Sequence, residues 1–308
     1  ENSALIFPVV IGRPFVLMTR WDPLGFLEMV SKYRVTHVAL LVDNVLELMD
    51  HPRFGEFDLS SLRRGGGVSF VKKLTMGYRE RWLALTGRTL VETSWGMTET
   101  HTSNTFTTGL QDDDFDLKAQ PVFVGMPVPG TEFKICDFDT GAIVPLDSEG
   151  EIVVRTPAMF KGYWNKPDET AAVLRDGWLH TGDIGVIDGR GYLHYLGRHK
   201  EMLKVKGMSV FPAELEALLG RHPAVVGSAV IGRVVEDKGQ VPVAFVQLKP
   251  EYARTVTENE LAHWLREQVA AYKVPEIYLI EALPLTSTGK VKKTDLSGLL
   301  NAVGTASG

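Results

Sequence analysis

Residues 36–49 read Thr36-His-Val-Ala-Leu-Leu-Val-Asp-Asn-Val-Leu-Glu-Leu-Met49. Thr36 to Leu41 is apolar and partly β-branched, which suits a strand. Val45, Leu46, Leu48 and Met49 then recur at the spacing of one helix face. The alternation continues outward from this stretch. Upstream, Phe15-Val-Leu-Met18 predicts a short buried strand, and Asp22-Pro23 opens a helix through Phe26, Leu27, Met29 and Val30. Downstream, Asp58-Leu-Ser-Ser-Leu62 leads to Gly65-Gly66-Gly67 and a helix through Val71, Leu74 and Trp82. Strand and helix in turn predict α/β layers over a largely parallel sheet for residues 1–118.

Two changes of texture follow. The polar stretch Gln111 to Gln120, with its aspartates, predicts a surface connection. Residues 119–198 carry short β-rich runs, Glu132–Ile135, Glu151–Val154 and Tyr192–Tyr195, between Pro/Gly/Asp turns, as in a small antiparallel barrel or sheet. Residues 199–308 predict a compact α+β unit. Its helix begins at Pro212 and stops at His222-Pro223, its strands lie at 225–231 and 241–248, and Thr257 with Glu260 forms a capping box. This last unit has 13 Lys/Arg against 12 Asp/Glu, whereas residues 1–198 have 20 against 26.

Composition narrows the function classes. The 308 residues are 44% hydrophobic and 23% charged, as in globular proteins. A net charge of −5 argues against a chain devoted to nucleic acid. One cysteine, Cys136, builds neither an internal disulfide nor a cysteine zinc site and fits a reducing, cytoplasmic compartment. The most apolar stretch, around Val35 to Met49, is broken by His37, Asp43, Asn44 and Glu47; a membrane span is not expected, and peripheral contact with a membrane stays open.

Four stretches carry chemistry. In Ser94-Trp95-Gly96-Met97-Thr98-Glu99, the aromatic could stack on a base, the hydroxyl bond a phosphate oxygen and the carboxylate hold a hard cation. Taken alone, the stretch is better read as a strand end with a buried Trp and a capping Thr/Glu. In Gly177-Trp-Leu-His180-Thr181-Gly182-Asp183, the aspartate could accept from two ribose hydroxyls, or only satisfy turn amides. Arg198-His-Lys200-Glu-Met-Leu-Lys-Val-Lys206-Gly207 is either a solvated charge run or a hinge at the change of texture. Pro284-Leu-Thr-Ser-Thr-Gly-Lys290 presents a lysine on a loop but lacks the first glycine and the final Ser/Thr of a phosphate loop.

Taken in order, these blocks resemble the adenylate-forming superfamily of acyl-CoA synthetases, luciferases and peptide-synthetase adenylation domains. Gly150-Glu-Ile with Gly162-Tyr-Trp-Asn-Lys-Pro-Asp-Glu-Thr170 is similar to the block that follows the Trp95–Glu99 motif in that family, and Pro212-Ala-Glu214-Leu-Glu216 to the end of its hinge block. The resemblance implies a large domain with a β-barrel subdomain, then a mobile C-terminal domain from residue 199. It also implies ATP-dependent conversion of a carboxylic acid to an acyl-adenylate, then transfer to coenzyme A, with Mg²⁺.

The implied roles attach to individual positions. Trp95, with Gly96 and Met97, would flank the adenine, Thr98 would touch the α-phosphate and Glu99 would hold Mg²⁺. Gly66 and Gly67 would form a small-residue loop between adenine and acyl group. Asp183 and Arg198 would bind the ribose, Lys200 would be the hinge, Lys206 and Gly207 would meet coenzyme A, and Lys290 would bridge the acyl carboxylate and AMP. Leu285 stands where the family usually has lysine, and Thr288 where serine is common. The Ser/Thr/Gly-rich phosphate loop belongs upstream of Glu1, so the resemblance implies the C-terminal part of a longer enzyme. The Trp-Gly-Met-Thr-Glu motif, the hinge lysine and Lys-Val-Lys-Gly favour a medium- or long-chain fatty acyl-CoA synthetase. An aryl- or cinnamoyl-type CoA ligase is the alternative, and a non-catalytic nucleotide-binding fragment a third reading.

Overall fold

The computed structural model describes residues 6–69, 71–92, 94–101, 103–235, 239–286 and 289–305, with side chains to Leu300. Packing divides the chain into two compact units, residues 1–69 with 74–195, and residues 70–73 with 196–308.

In the first unit, a short helix α1 (Phe7–Val10) precedes α2 (Pro23–Tyr33), whose N-cap Asp22 accepts from the Gly25 amide at 2.6 Å. Strand β1 (His37–Leu41) runs straight into α3 (Val42–Asp50). Strand β2 (Arg64–Val68), helix α4 (Met76–Thr86) and strand β3 (Leu90–Glu92) complete a parallel sheet in the order β1-β2-β3. The α/β reading therefore holds here. Leu27, Val30, Val45, Leu48, Trp82 and Leu90 share its core.

Four local expectations change. Phe15–Met18 forms no strand: Phe15, Val16 and Leu17 are exposed, and no described strand pairs with them. Gly66 and Gly67, expected in a small-residue loop, lie instead in the middle of the central strand, paired to β1 on one side and β3 on the other. Val71 and Leu74 lie before their expected helix, because Thr75 caps α4 through the Tyr78 amide. The acidic stretch 111–120 is not wholly superficial: it contains α5 (Phe115–Lys118), and Asp116 is buried against Arg79.

The β-rich part forms a curled, open half-barrel. Its strands are β4 (Thr105–Phe106), β5 (Val122–Pro127), β6 (Glu132–Cys136), β7 (Gly150–Arg155), β8 (Leu174–Arg175), β9 (Trp178–Ile187) and β10 (Leu193–Arg198), with α6 (Pro167–Val173) between β7 and β8. Their main path is β4-β5-β10-β9-β7-β6, and β8 pairs with β9. Ile152, Val154, Leu179 and Leu193 pack with Trp95 on one face.

The second unit contains β11 (Leu203–Val205), β12 (Met208–Val210), α7 (Pro212–Leu219), β13 (Val225–Val235), β14 (Gly239–Leu248), α8 (Glu258–Arg266), β15 (Glu276–Ile280) and α9 (Lys293–Thr305). Strands β13 and β14 are nearly continuous apolar runs because both faces are covered. Val230, Ala244 and Val246 pack with residues of α7 and α8, whereas Ala229, Ile231, Val243 and Phe245 pack with Leu296 and Leu300 of α9. The Thr257/Glu260 capping box is present.

Candidate functional site

In the first unit, the Trp95 motif sits at a crossing of backbone strands. The Trp95 amide donates to Thr105 Oγ1 at 2.9 Å, and its carbonyl accepts from the Asn104 amide at 2.8 Å. Gly96 pairs with Ser103 across an antiparallel bridge. The indole is 8% exposed, packs edge-on to Phe133, and donates from Nε1 to Asp183 Oδ2 at 3.0 Å. Two stretches 88 residues apart in sequence thus meet through one hydrogen bond.

Thr98 to Thr100 form a single 3₁₀ turn, with Thr100 fully buried and bonding the Met97 backbone. Packing of Thr100 leaves Thr98 exposed and Glu99 half-buried. Glu99 is fastened twice to residues 160–163: its carbonyl accepts from the Phe160 amide at 2.7 Å, and its Oε1 from the Tyr163 hydroxyl at 2.8 Å. Tyr163 is aimed by Gly162, whose φ of +145° strains any other residue. A Cβ there would lie 2.7 Å from Thr170 Cγ2, while the Tyr163 amide bonds Thr170 Oγ1 at 2.9 Å.

The Asp183 turn has its own support. Glu151, 9% exposed on β7, accepts the Gly182 amide at 3.0 Å through Oε1 and meets His180 Nδ1 at 2.7 Å through Oε2. Thr181 Oγ1 donates to the Ile152 carbonyl and accepts from the Asp183 amide. Asp183 itself is 2% exposed.

The structure thus brings together Trp95, Gly96, Met97, Thr98, Glu99 and, through the indole, Asp183. Gly66 and Gly67 lie on β2 in the same unit. Arg198, Lys200, Lys206, Gly207 and Lys290 belong to the second unit. Arg198 ends β10, and Lys200 is exposed in the 3₁₀ turn His199–Glu201. Lys206 and Gly207, with φ of 51° and 83°, form the two-residue tip of the β11–β12 hairpin. Lys290 lies on a loop closed by the Leu285–Val291 bridge and by the Thr286 amide on the Lys290 carbonyl at 2.7 Å. Ser287 and Thr288 of that motif lie outside the described residues.

Tyr163, Glu151 and His180 were missed as site residues. Each stands inside a block quoted for its resemblance, yet no spacing rule says that Tyr163 reaches back 64 residues to Glu99. Asn104 had no sequence signal at all. It is 1% exposed, and neither its Oδ1 nor its Nδ2 bonds a described residue.

Among the described residues, no group of three His, Cys, Asp or Glu could hold a metal by itself. The donor set suits Mg²⁺, which usually takes one or two carboxylates together with substrate phosphates and water. Glu99, half-buried and oriented by Tyr163, is a carboxylate of that kind. Among the described residues, no helix is long and apolar enough to cross a membrane.

Comparison with known proteins gives a consistent set. Residues 2–164 match the profile described as AMP-binding enzyme, and residues 214–290 that of the AMP-binding enzyme C-terminal domain. The chain is similar to 4-coumarate–CoA ligase 1 of Solanum tuberosum, 35% identical over 305 residues, covering 98% of this chain and 54% of that one. It is likewise similar to 4-coumarate–CoA ligase 1 of Glycine max, 35% identical over 291 residues, covering 93% of this chain and 97% of the other sequence. Among solved structures it resembles the anthranilate CoA ligase AuaEII in complex with anthranoyl-AMP. There the TM-score is 0.80 and the identity 30%, covering 97% of this chain and 57% of that one. The chain spans about half the length of most of the relatives it matches.

Proposed function

Because this chain belongs to the AMP-binding enzyme family, we propose that it takes part in ATP-dependent activation of an aryl or cinnamoyl-type carboxylic acid. The acid becomes an acyl-adenylate with release of pyrophosphate, and coenzyme A then displaces AMP. One observation carries the reading at the site: the indole of Trp95 is bonded to Asp183, which ties the proposed adenine and ribose blocks directly to each other. The choice of acid rests on the relatives, which are 4-coumarate ligases and an anthranilate ligase. None of these supports the fatty-acyl expectation in particular.

The physical demand of the first step is to bring a carboxylate to a polyphosphate. One opposite charge at about 4 Å, with an effective dielectric near 20, is worth roughly 4 kcal/mol before desolvation. Lys290 is assigned to that task, bridging the acyl carboxylate and the α-phosphate, with Thr98 on a phosphate oxygen. Glu99 would hold Mg²⁺, which supplies charge neutralisation of the phosphates when bound. Asp183 would accept the ribose hydroxyls, its turn held by Glu151, and Arg198 would add a cation there. Gly66 and Gly67 would give the ligand close access to backbone. For thioester formation, Lys200 is assigned as the hinge, and Lys206-Gly207, at an exposed hairpin tip, as the contact to coenzyme A.

The test is pyrophosphate isotope exchange with a panel of cinnamates, benzoates and fatty acids, alongside calorimetric titration with AMP. Aryl acids should support exchange, and Lys290→Ala should lower it by about 10²–10³. Exchange driven only by fatty acids would overturn the substrate assignment. AMP binding that survives Asp183→Ala would remove the proposed ribose site. Binding of AMP without exchange for any acid would favour the nucleotide-binding fragment, a reading kept because the chain spans half the length of most of its relatives.

A further inference from the structure

Two of the motif blocks in the second unit are joined by a side chain that neither block announces. Lys293 opens α9, three positions beyond Lys290. Its Nζ lies 2.8 Å from Glu201 Oε2 and 2.9 Å from Glu216 Oε1. Glu201 closes the 3₁₀ turn that contains Lys200, and Glu216 lies on α7, where its Oε1 also accepts the Val230 amide of β13 at 2.8 Å. The side chains of Lys293, Glu216 and Glu201 are 27%, 14% and 39% exposed, so the Lys293–Glu216 pair is better shielded than an ordinary surface pair and Glu201 closes its outer side. Burial alone would depress the Lys293 ammonium, but the attraction of Glu216 and Glu201 outweighs it and the net shift is upward. The cation is therefore kept.

The backbone on either side is equally constrained. The loop carrying Lys290 is closed by the Leu285–Val291 bridge and by the Lys292 amide on the Pro284 carbonyl at 2.8 Å. Lys293 is the next residue. In the hinge turn, the Met202 amide bonds the Arg198 and His199 carbonyls. Short stiff backbone thus links Lys293 to the Lys290 loop and Glu201 to Lys200.

We propose that Lys293 is a positioning residue: held between Glu201 and Glu216, it locks the turn beside Lys200 to the helix that follows the Lys290 loop, so that hinge and loop move as one body. Its consequence for catalysis rests on the function proposed above, whereas the lock itself does not. A hinge works only if the body it turns is rigid up to the pivot. Without Lys293, Glu201 loses its cation and the turn is released from α9, so rotation at Lys200 would no longer set the position of Lys290.

Amide hydrogen exchange on the protein without substrates tests the lock. Lys293→Met and Glu201→Gln should each speed exchange at 198–203 and 284–292 by about tenfold or more, leaving 225–231 unchanged. Lys293→Arg, which keeps the charge, should restore protection. Unchanged rates at 198–203, acceleration spread evenly through the unit, or failure of arginine to rescue would each overturn the proposal. In pyrophosphate exchange, Lys293→Met should lower kcat by about tenfold while KM for ATP stays within about twofold. An unaltered kcat would refute the positioning role. A wild-type protein inactive with every acid would instead count against the functional reading, and amide exchange would still decide the lock.

Discussion

Arg79→Met should unfold the first unit more easily than any surface substitution. Arg79 is 4% exposed on α4, and each of its three guanidinium nitrogens is hydrogen-bonded. Nε donates to the Leu90 carbonyl at 2.9 Å, Nη1 to Asp114 and Asp116 at 2.7 and 2.8 Å, and Nη2 to Asp116 at 2.5 Å. Burial works against the charge, yet the bonds to Asp116 and Asp114 raise the Arg79 pKa overall. The Asp116 side chain is 1% exposed, so removing the guanidinium strands a carboxylate away from water. Breaking a buried pair in this way costs about 3–5 kcal/mol. For a unit of this size each kcal/mol moves the melting temperature by roughly 2–4 °C, so the shift should be about 6–20 °C downward. Five of the six tryptophans, at 21, 82, 95, 164 and 178, belong to the first unit, so tryptophan fluorescence during heating reports on it. Adding Asp116→Leu removes the stranded charge and should recover most of the loss, because apolar replacement of both partners is often near neutral. A single mutant within about 1 kcal/mol of wild type, or a double mutant costing the sum of the singles, would refute the reasoning.

Two further outcomes follow from particular groups. Burial pushes the Asp188 carboxyl upward, but bonds from the Tyr192 and Arg190 amides and from the Arg190 and His194 side chains bring it down to about 2. Because the folded value lies below the unfolded one, its stabilisation is complete above the unfolded value of 3.8 and is lost as pH falls through about 2. Asp188→Asn should therefore cost about 2 kcal/mol at neutral pH, with the gap shrinking below about pH 4; a gap independent of pH in denaturant titrations would contradict this. Asn104→Leu should stabilise the protein by about 1–3 kcal/mol, since the buried amide bonds no described residue. A lower melting temperature for that variant would show that the amide has a partner.

Much of the fold was legible because its signals are local. The strand-to-helix switch at 36–49, the Asp22 cap, the Thr257/Glu260 box and the β-rich texture of residues 119–198 depend on neighbours a few positions apart, and each has its counterpart in the structure. Phe15–Met18 failed because an apolar run forms a strand only where another strand offers hydrogen bonds, and no described strand does. Gly65–Gly67 failed in the opposite sense. A run of glycines suggests a loop locally, but pairing on both sides made these residues the centre of a sheet.

By itself, the sequence determined the order of the motif blocks, the family they resemble and the residue types that could serve adenylate chemistry, since these depend on identity and spacing alone. The tertiary structure decided which of those residues are neighbours. Trp95 on Asp183, Tyr163 on Glu99, Glu151 beneath the Asp183 turn and Lys293 between Glu201 and Glu216 join residues 29 to 92 positions apart, or two acids to one base. A hydrogen bond or ion pair acts over about 3 Å, and that proximity arises only when sheets and helices pack. The chemistry of each residue was written in the chain; its partner was chosen by the fold.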